Sequence, residues 1–379
     1  MKVRAEVGIV GAGPAGARAA ELLAGLGAEV IMFDPRAPWE KPCGGGLTVS
    51  AFDSIPDLAG VMTLARRIDT VRIDAEHTTV TVPLQRSLYV LSRTELARWQ
   101  LERAETAGAH FERTSVRGIR RTADNGWDLD LASGGSATVV LLVGADGAAS
   151  RVRTTVAHQL DIELAPTRVA FVPGAGPTPL QIGLRFFADA QGYAWDFPRP
   201  DHRSIGIGVA PGTWARPRLD AEVDHYCDLL GHCEYVDAAR AGAVIGTAAR
   251  RMDRRYSLVG QSDYALLGDA AGFADPATGE GIQNAIRSAD FLAEAYARDR
   301  RFTAYSRIAH DHFEAEFRAS RQVRRLLYAG NLTNELIEFA ARSNSWYAVL
   351  TAMVDGGNAH DPLLLRKLLQ SWWRARRAV

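Results

Sequence analysis

The sequence predicts an α/β fold: a Rossmann-like dinucleotide-binding domain, an inserted antiparallel β-sheet domain and a C-terminal helical region. Three observations carry this. The N-terminus reads apolar strand, glycine-rich turn, alanine-rich helix, apolar strand and acid. Two later runs, 139–146 and 264–269, are apolar strands that end in Gly-Ala-Asp and Gly-Asp; such runs suit parallel strands buried on both faces. Between them, residues 165–260 show short strand-like segments, scattered prolines and little helix before about 218. The expected division is 1–67, 92–160 and 261–300 for the dinucleotide domain, 68–91 and 161–260 for the β-rich domain, and 301–379 for the helical region.

The first element is the most informative. Val7-Gly8-Ile9-Val10 runs into Gly11-Ala12-Gly13-Pro14-Ala15-Gly16, then a helical stretch over 17–26 that stops at Gly27. Val30-Ile31-Met32-Phe33 follows and ends at Asp34. This is the fingerprint of a βαβ dinucleotide site. Gly11 permits the tight turn, Gly13 lets backbone approach a pyrophosphate, and Gly16 lets the helix pack on the strands. The helix N-terminus offers unpaired N–H groups and partial positive charge to phosphate. Asp34 can accept from a ribose 2′-hydroxyl and would repel a 2′-phosphate, which favours FAD or NAD over NADP. A glycine turn without a ligand is the plain alternative; the strand, helix and acid around it count against that.

Composition removes several function classes. The 379 residues are 47% hydrophobic and 23% charged, ordinary for a globular chain. Lys plus Arg (44) balance Asp plus Glu (44), so no global field points to nucleic acid. Three cysteines do not make a disulfide framework. Cys227 and Cys233 flank Gly231-His232, but two thiols and one histidine do not complete a zinc site, and no metal is expected. No leader is read before the first strand, and no uncharged apolar run reaches the ~18 residues of a spanning helix. The expected location is cytoplasmic, at most peripheral to a membrane.

Further along, Lys41-Pro42-Cys43-Gly44-Gly45-Gly46-Leu47-Thr48 holds three consecutive glycines, which are entropically expensive. A flexible loop is one reading; a backbone lying flat along a flavin ring is the one favoured here. Strands are expected at 68–73, 79–82 and 88–91, and a helix over 94–108 with Arg93 at its mouth. Arg93 could reach a pyrophosphate, or it could be a surface arginine. Asp146 and Asp269, at the ends of the two buried strands, are cofactor-binding candidates, Asp269 for a ribityl or ribose hydroxyl. Gly281 and Ile282 open a helix over 282–297, where N–H groups favour a negatively charged flavin carbonyl.

Gly192-Tyr193-Ala194-Trp195-Asp196-Phe197-Pro198 places Tyr193, Trp195 and Phe197 on one strand face. Ser204 to Val209 reads as its hairpin partner. If Trp195 pairs with Gly206, then Gly208 faces Tyr193, and open space is expected above the rings: a floor for a flat or elongated apolar ligand. Ordinary sheet core is the alternative. Gly174-Ala175-Gly176-Pro177 lacks a third glycine and a helix and is read as a loop. From 303 the pattern is helical, and residues 363–377 are apolar and basic without an acid. That end reads as a helix packed on the body, or as an interfacial membrane contact.

The order of these motifs resembles the FAD-binding fold shared with p-hydroxybenzoate hydroxylase. Two pieces narrow it. Lys41-Pro42-Cys43-Gly44-Gly45-Gly46 resembles the cysteine-glycine loop of the geranylgeranyl reductase family. Tyr193-x-Trp195-x-Phe197-Pro198 resembles that family's P-x-x-Y-x-W-x-F-P substrate pattern, with Ala190 where the family has its leading proline. The resemblance implies FAD contacts at Ala15, Asp34, Gly44, Gly45, Leu47, Arg93, Val116, Asp269, Gly281 and Ile282; Val116 rests on it alone. It implies reduction of isolated C=C bonds in a prenyl chain carried on a diphosphate, a chlorophyll, an archaeal lipid or a quinone. Hydride from reduced FAD and a proton would add across the bond. Tyr193 and Trp195 would stabilise developing positive charge by ~0.5–2 kcal/mol, and Cys43 would tune the flavin or relay a proton. NADPH or a ferredoxin would supply electrons. The competing expectations are a flavin monooxygenase or halogenase on the same fold, and a non-catalytic prenyl-lipid carrier.

Overall fold

The computed structural model describes residues 2–174, 180–232, 239–247, 256–328, 332–341 and 370. The chain begins with β1 (Lys2–Val10), α1 (Pro14–Gly25), β2 (Val30–Phe33), β3 (Gly46–Leu47), α2 (Val49–Ser54), β4 (Arg66–Asp74) and β5 (Thr79–Val90). It continues through α3 (Arg93–Thr106), β6 (His110–Glu112), β7 (Val116–Arg121), β8 (Trp127–Leu131), β9 (Ser136–Gly144), α4 (Arg151–Val156), β10 (Glu163–Pro173) and β11 (Gln181–Phe186). Then come β12 (Gly192–Pro198), β13 (His202–Val209), α5 (Arg216–Leu229), β14 (Ala239–Thr247), β15 (Tyr264–Leu266), α6 (Ile282–Asp299), α7 (Tyr305–Leu327) and α8 (Leu332–Ala341).

Two compact units form. The first holds residues 1–40, 93–164 and 245–317, the second residues 41–92, 165–244 and 318–379. In the first, β6, β2, β1, β9 and β15 are parallel neighbours, and β8 and β7 extend the sheet from β9 as an antiparallel meander. The apolar runs foreseen as doubly buried strands are β9 and β15, and Leu141, Leu142, Val143, Ala265 and Leu266 are buried. The alanine richness of α1 has a packing cause: it contacts β1, β2, α3 and α6, and small side chains permit close approach.

The second unit is built on the sheet order β14-β10-β13-β12-β11-β4-β5-β3. Ala194, Ile205 and Ile207 on one face bury against Leu219, Val223 and Tyr226 of α5. The Asp196 carboxylate on that face takes two hydrogen bonds from Arg203, at 2.8 and 2.5 Å. The strands expected at 79–82 and 88–91 are one strand, β5, which crosses Pro83 where β4 is irregular between Ile68 and Thr70.

The expected domain boundaries are corrected in three places. Residues 41–67 belong to the sheet unit, because Gly46 and Leu47 pair with Val90 and Tyr89. Residues from 245 belong to the first unit, where Thr247 bridges Ala274. Residues 301–317 belong there too: Phe313 and Phe317 of α7 lie 4.7 and 6.1 Å from the Phe273 ring, so that stretch is not a separate helical region. The basic stretch 363–377, nearly all of the 174–177 loop and Cys233 lie outside the described residues.

Candidate functional site

In the first unit the candidate cofactor residues gather at the C-terminal ends of β1, β9 and β15. Gly11 has φ +98°, and a side chain there would strike the Ala145 carbonyl. A methyl on Gly16 would strike the Gly11 carbonyl, so this glycine closes the helix onto the turn. Gly13 differs from both. Its φ of −74° suits any residue, and a methyl group there would meet nothing within 4 Å. Packing gives no reason for a glycine at 13; a ligand approaching the backbone would.

Two helices start here without side-chain caps. α1 begins after Gly13 and α6 after Gly281, and neither has an acid in its first turn. A methyl on Gly268 would lie 3.1 Å from the Ala285 methyl of α6 and 3.4 Å from the Ala15 methyl of α1. The first turns of both helices therefore converge on the same glycine, beside Asp269. A methyl on Gly281 would come to 3.1 Å from an Asp269 carboxylate oxygen. Orphan N–H groups of two helices and one carboxylate thus share a small region, which suits an anionic dinucleotide with sugar hydroxyls.

Asp34 accepts from the backbone N–H groups of Ala12, Arg36 and Ala37 at 3.0, 2.8 and 3.0 Å. A carboxylate has about four acceptor positions, so capacity for one sugar hydroxyl is left. Asp146 is committed to local structure: it accepts from Ser150 Oγ at 2.5 Å and from the N–H groups of Arg151 and Val152 at 2.7 and 3.2 Å. Burial nonetheless raises its pKa above the ordinary carboxylate value. Val116 starts β7 at the edge of the sheet, three strands from β1.

Arg93 opens α3. Glu40 fixes that helix end by accepting from Arg93 N–H at 2.9 Å and Thr94 N–H at 3.3 Å. Gln100, one face further on, donates to the Pro14 carbonyl at 3.3 Å and ties α3 to the start of α1. Arg93 is 7% exposed, and its Nε has no hydrogen-bond partner among the described residues. A buried guanidinium nitrogen without an acceptor is costly; a pyrophosphate or ribityl oxygen would satisfy it.

In the second unit the aromatic strand has the register expected: Trp195 pairs with Gly206 and Tyr193 with Gly208. The open space does not follow, and that expectation is corrected. A methyl on Gly206 would strike the Trp195 indole, and one on Gly208 would lie 3.6 Å from it, so the ring lies over both glycines. Trp195 is 5% exposed, and its Nε1 donates to Ser204 Oγ at 3.2 Å. Tyr193 remains half-buried, 6.2 Å from Trp195 and 6.0 Å from Phe186 between ring centres.

Phe197 lies beneath the cysteine-glycine loop. Methyl groups on Gly44 and Gly46 would lie 2.7 and 2.9 Å from its ring. The flat backbone foreseen at the three glycines therefore has a partner in the protein itself. Gly45 has φ +80°, and its N–H points to Cys43 Sγ at 3.4 Å. Leu47 is fully buried in β3. The Cys43 carbonyl accepts from Ser204 Oγ at 2.8 Å and from Arg199 Nη2. Cys43, distant in sequence from the Trp195 and Phe197 strand, is thus joined to it through Ser204 and through the glycine backbone.

Residues 4–173 match the FAD binding domain family. Geranylgeranyl diphosphate reductase of Rhodobacter capsulatus is 32% identical over 308 residues, 76% of this chain and 73% of that protein. The chain belongs to the geranylgeranyl reductase family. The chloroplastic geranylgeranyl diphosphate reductase of Arabidopsis thaliana is 28% identical over 330 residues; these are 76% of this chain, which spans 65% of that protein's length. A geranylgeranyl bacteriochlorophyll reductase-like protein from Thermoplasma acidophilum has the same fold, with TM-score 0.75 at 18% identity, covering 98% of this chain and 100% of that one.

As a member of the geranylgeranyl reductase family with an FAD-binding domain, the chain has donors that fit FAD: two uncapped helix starts, the open Gly13 and the unsatisfied Arg93. The sequence reading missed four supporting residues. Glu40 places Arg93. Arg153, buried, donates to the Ala148 and Ala270 carbonyls at 2.6 and 3.0 Å and so holds the turn that carries Asp269. Ser204 and Arg199 hold Cys43. Asp146 followed by Ser150 and Arg153 was a legible capping signal; the partners of Arg199 and Glu40 had none.

Proposed function

We propose that the protein reduces isolated C=C bonds of a prenyl chain with FAD as its redox group. The observation that carries this reading is the hydrogen-bonded link from Trp195 through Ser204 to the Cys43 carbonyl. It ties together the two segments whose sequences resemble this family's, the aromatic strand and the cysteine-glycine loop.

Reduced FAD, when bound, supplies a hydride equivalent, and the alkene gains that hydride and one proton. An unactivated alkene has no carbonyl to polarise, so the protein's part is orientation, dryness and stabilisation of positive charge on carbon. Tyr193 is the ring left for that contact, worth ~0.5–2 kcal/mol. Trp195 sets the floor beside it and is itself held. Phe197 supports the loop from below, and Cys43 tunes the flavin or relays the proton. Gly13, Asp34, Arg93, Asp269, Gly281 and Ile282 hold the dinucleotide, with Gly44, Gly45 and Leu47 serving the flavin. Among the described residues there is one parallel nucleotide-binding sheet, which supports an electron donor that visits transiently, NADPH or a ferredoxin. Among them, too, no helix is long and apolar enough to cross a membrane.

The test is product analysis without oxygen. The purified protein, with its flavin kept reduced by dithionite, is offered geranylgeranyl diphosphate, a prenylated glycerophospholipid and a menaquinone in parallel. Products two mass units heavier per bond reduced establish the reaction and rank the head groups. No reduced product from any of them, with hydroxylation on admitting oxygen, would move the protein to the monooxygenase reading.

A further inference from the structure

We infer that Arg199, held by an uncharged His202, is the positioning residue for the Cys43 loop. The functional consequence rests on the proposed role of Cys43; the clamp itself does not. Residues 199–202 form a tight turn between β12 and β13, closed by Arg199 N–H donating to the His202 carbonyl at 2.7 Å. The turn brings the two side chains together. Arg199 is fully buried. Its Nη2 donates to the Cys43 carbonyl, and its Nη1 lies 3.1 Å from His202 Nε2. A methyl on Gly45 would sit 3.2 and 3.3 Å from Nη2 and Nε, so the guanidinium lies against the loop backbone.

The contact with Arg199 decides the state of His202. A guanidinium can only donate, so His202 Nε2 must be the acceptor and carry no proton. The ring proton is then on Nδ1, which donates to the Asp201 carboxylate at 2.8 Å. Asp201 is exposed and holds the tautomer from the solvent side. β10 presents the Phe171 ring, edge to face with the imidazole at 5.5 Å and 5.6 Å from the Arg199 guanidinium. β4 sends Arg66 to the Pro200 carbonyl at 3.0 Å.

The test uses the FAD-loaded protein and two readouts: the rate at which iodoacetamide modifies Cys43, followed by the mass of its peptide, and the kcat and KM of alkene reduction. Arg199→Met should raise the modification rate by about tenfold, the scale of one charge-assisted hydrogen bond, and lower kcat without changing KM. Arg199→Lys, which keeps one donor, should recover part of both. Ser204→Ala removes the other donor on the Cys43 carbonyl and should give a smaller rise; it decides the matter should Arg199→Met not fold. His202→Gln offers an amide oxygen that can accept from the guanidinium in place of Nε2, so both readouts should stay near wild type, whereas His202→Leu should move them in the direction of Arg199→Met. An unchanged modification rate in the folded Arg199 and Ser204 variants overturns the clamp. Faster modification with unchanged kcat supports the clamp and removes Cys43 from the reaction instead.

Discussion

The indole of Trp195 lies over Gly206, its cross-strand partner, and fills the space that a side chain at 206 would need. The neighbouring Gly208 makes only ordinary contacts, at 3.4 Å to Thr167 and 3.6 Å to the same indole. Gly206→Ala should therefore displace the ring and destabilise the protein by about 1–3 kcal/mol, the usual penalty for overpacking. Gly208→Ala should leave the unfolding temperature nearly unchanged. Thermal unfolding of both variants, with prenyl-substrate KM for the folded ones, checks this; equal effects would mean that the indole does not rest there.

The fingerprint glycines separate into two kinds. Gly16→Ala should lower stability whether or not flavin is present, because its methyl meets the Gly11 carbonyl. Gly13→Ala should leave the flavin-free protein nearly as stable as wild type, since the added methyl meets nothing within 4 Å and the φ is −74°. It should nonetheless abolish FAD binding. Melting curves of the flavin-free proteins and flavin titrations give both answers.

Arg93→Met removes a buried cation whose Nε has no partner among the described residues. FAD affinity should fall roughly 10–100-fold, the loss of a hydrogen bond to a charged group. The flavin-free protein should be no less stable, because no described acceptor loses its donor at Nε. A variant that bound FAD as tightly as wild type would remove Arg93 from the cofactor site.

Cys227 is buried under the sheet by α5, and burial pushes its thiol up from 9.0 to about 12. The folded value lies above the unfolded one, so the contribution to stability is whole below pH 9 and is lost as pH rises toward 12. Between those values the wild type should lose stability that Cys227→Ala keeps. Cys227 should also resist alkylation at neutral pH, where Cys43, half-exposed, reacts.

Much of this was legible in the chain. The turn at Gly11, the acid at 34 and the buried strands that became β9 and β15 announce a dinucleotide fold through local pattern alone. Even the β12–β13 register could be read, because Gly206 and Gly208 alternate in step with Trp195 and Tyr193. The failures have physical causes. Strand pairing tells which face Trp195 occupies but not how its indole turns, so the space over Gly206 was misjudged. β3 is two residues long, too short for any periodic signal, so residues 41–67 were placed in the wrong unit. Arg199 reaches Cys43 across 156 positions and Glu40 reaches Arg93 across 53, and no spacing rule connects side chains so far apart.

Transfer of hydrogen from flavin to an alkene can be followed in a single turnover. The protein is reduced stoichiometrically, freed of excess dithionite and oxygen, and mixed with geranylgeranyl diphosphate while flavin absorbance is followed. The flavin should reoxidise without oxygen, with one double bond lost for each flavin oxidised, and more slowly in Cys43→Ser. Flavin that stays reduced with every prenyl substrate tried, and reoxidises only when oxygen enters, would contradict that transfer.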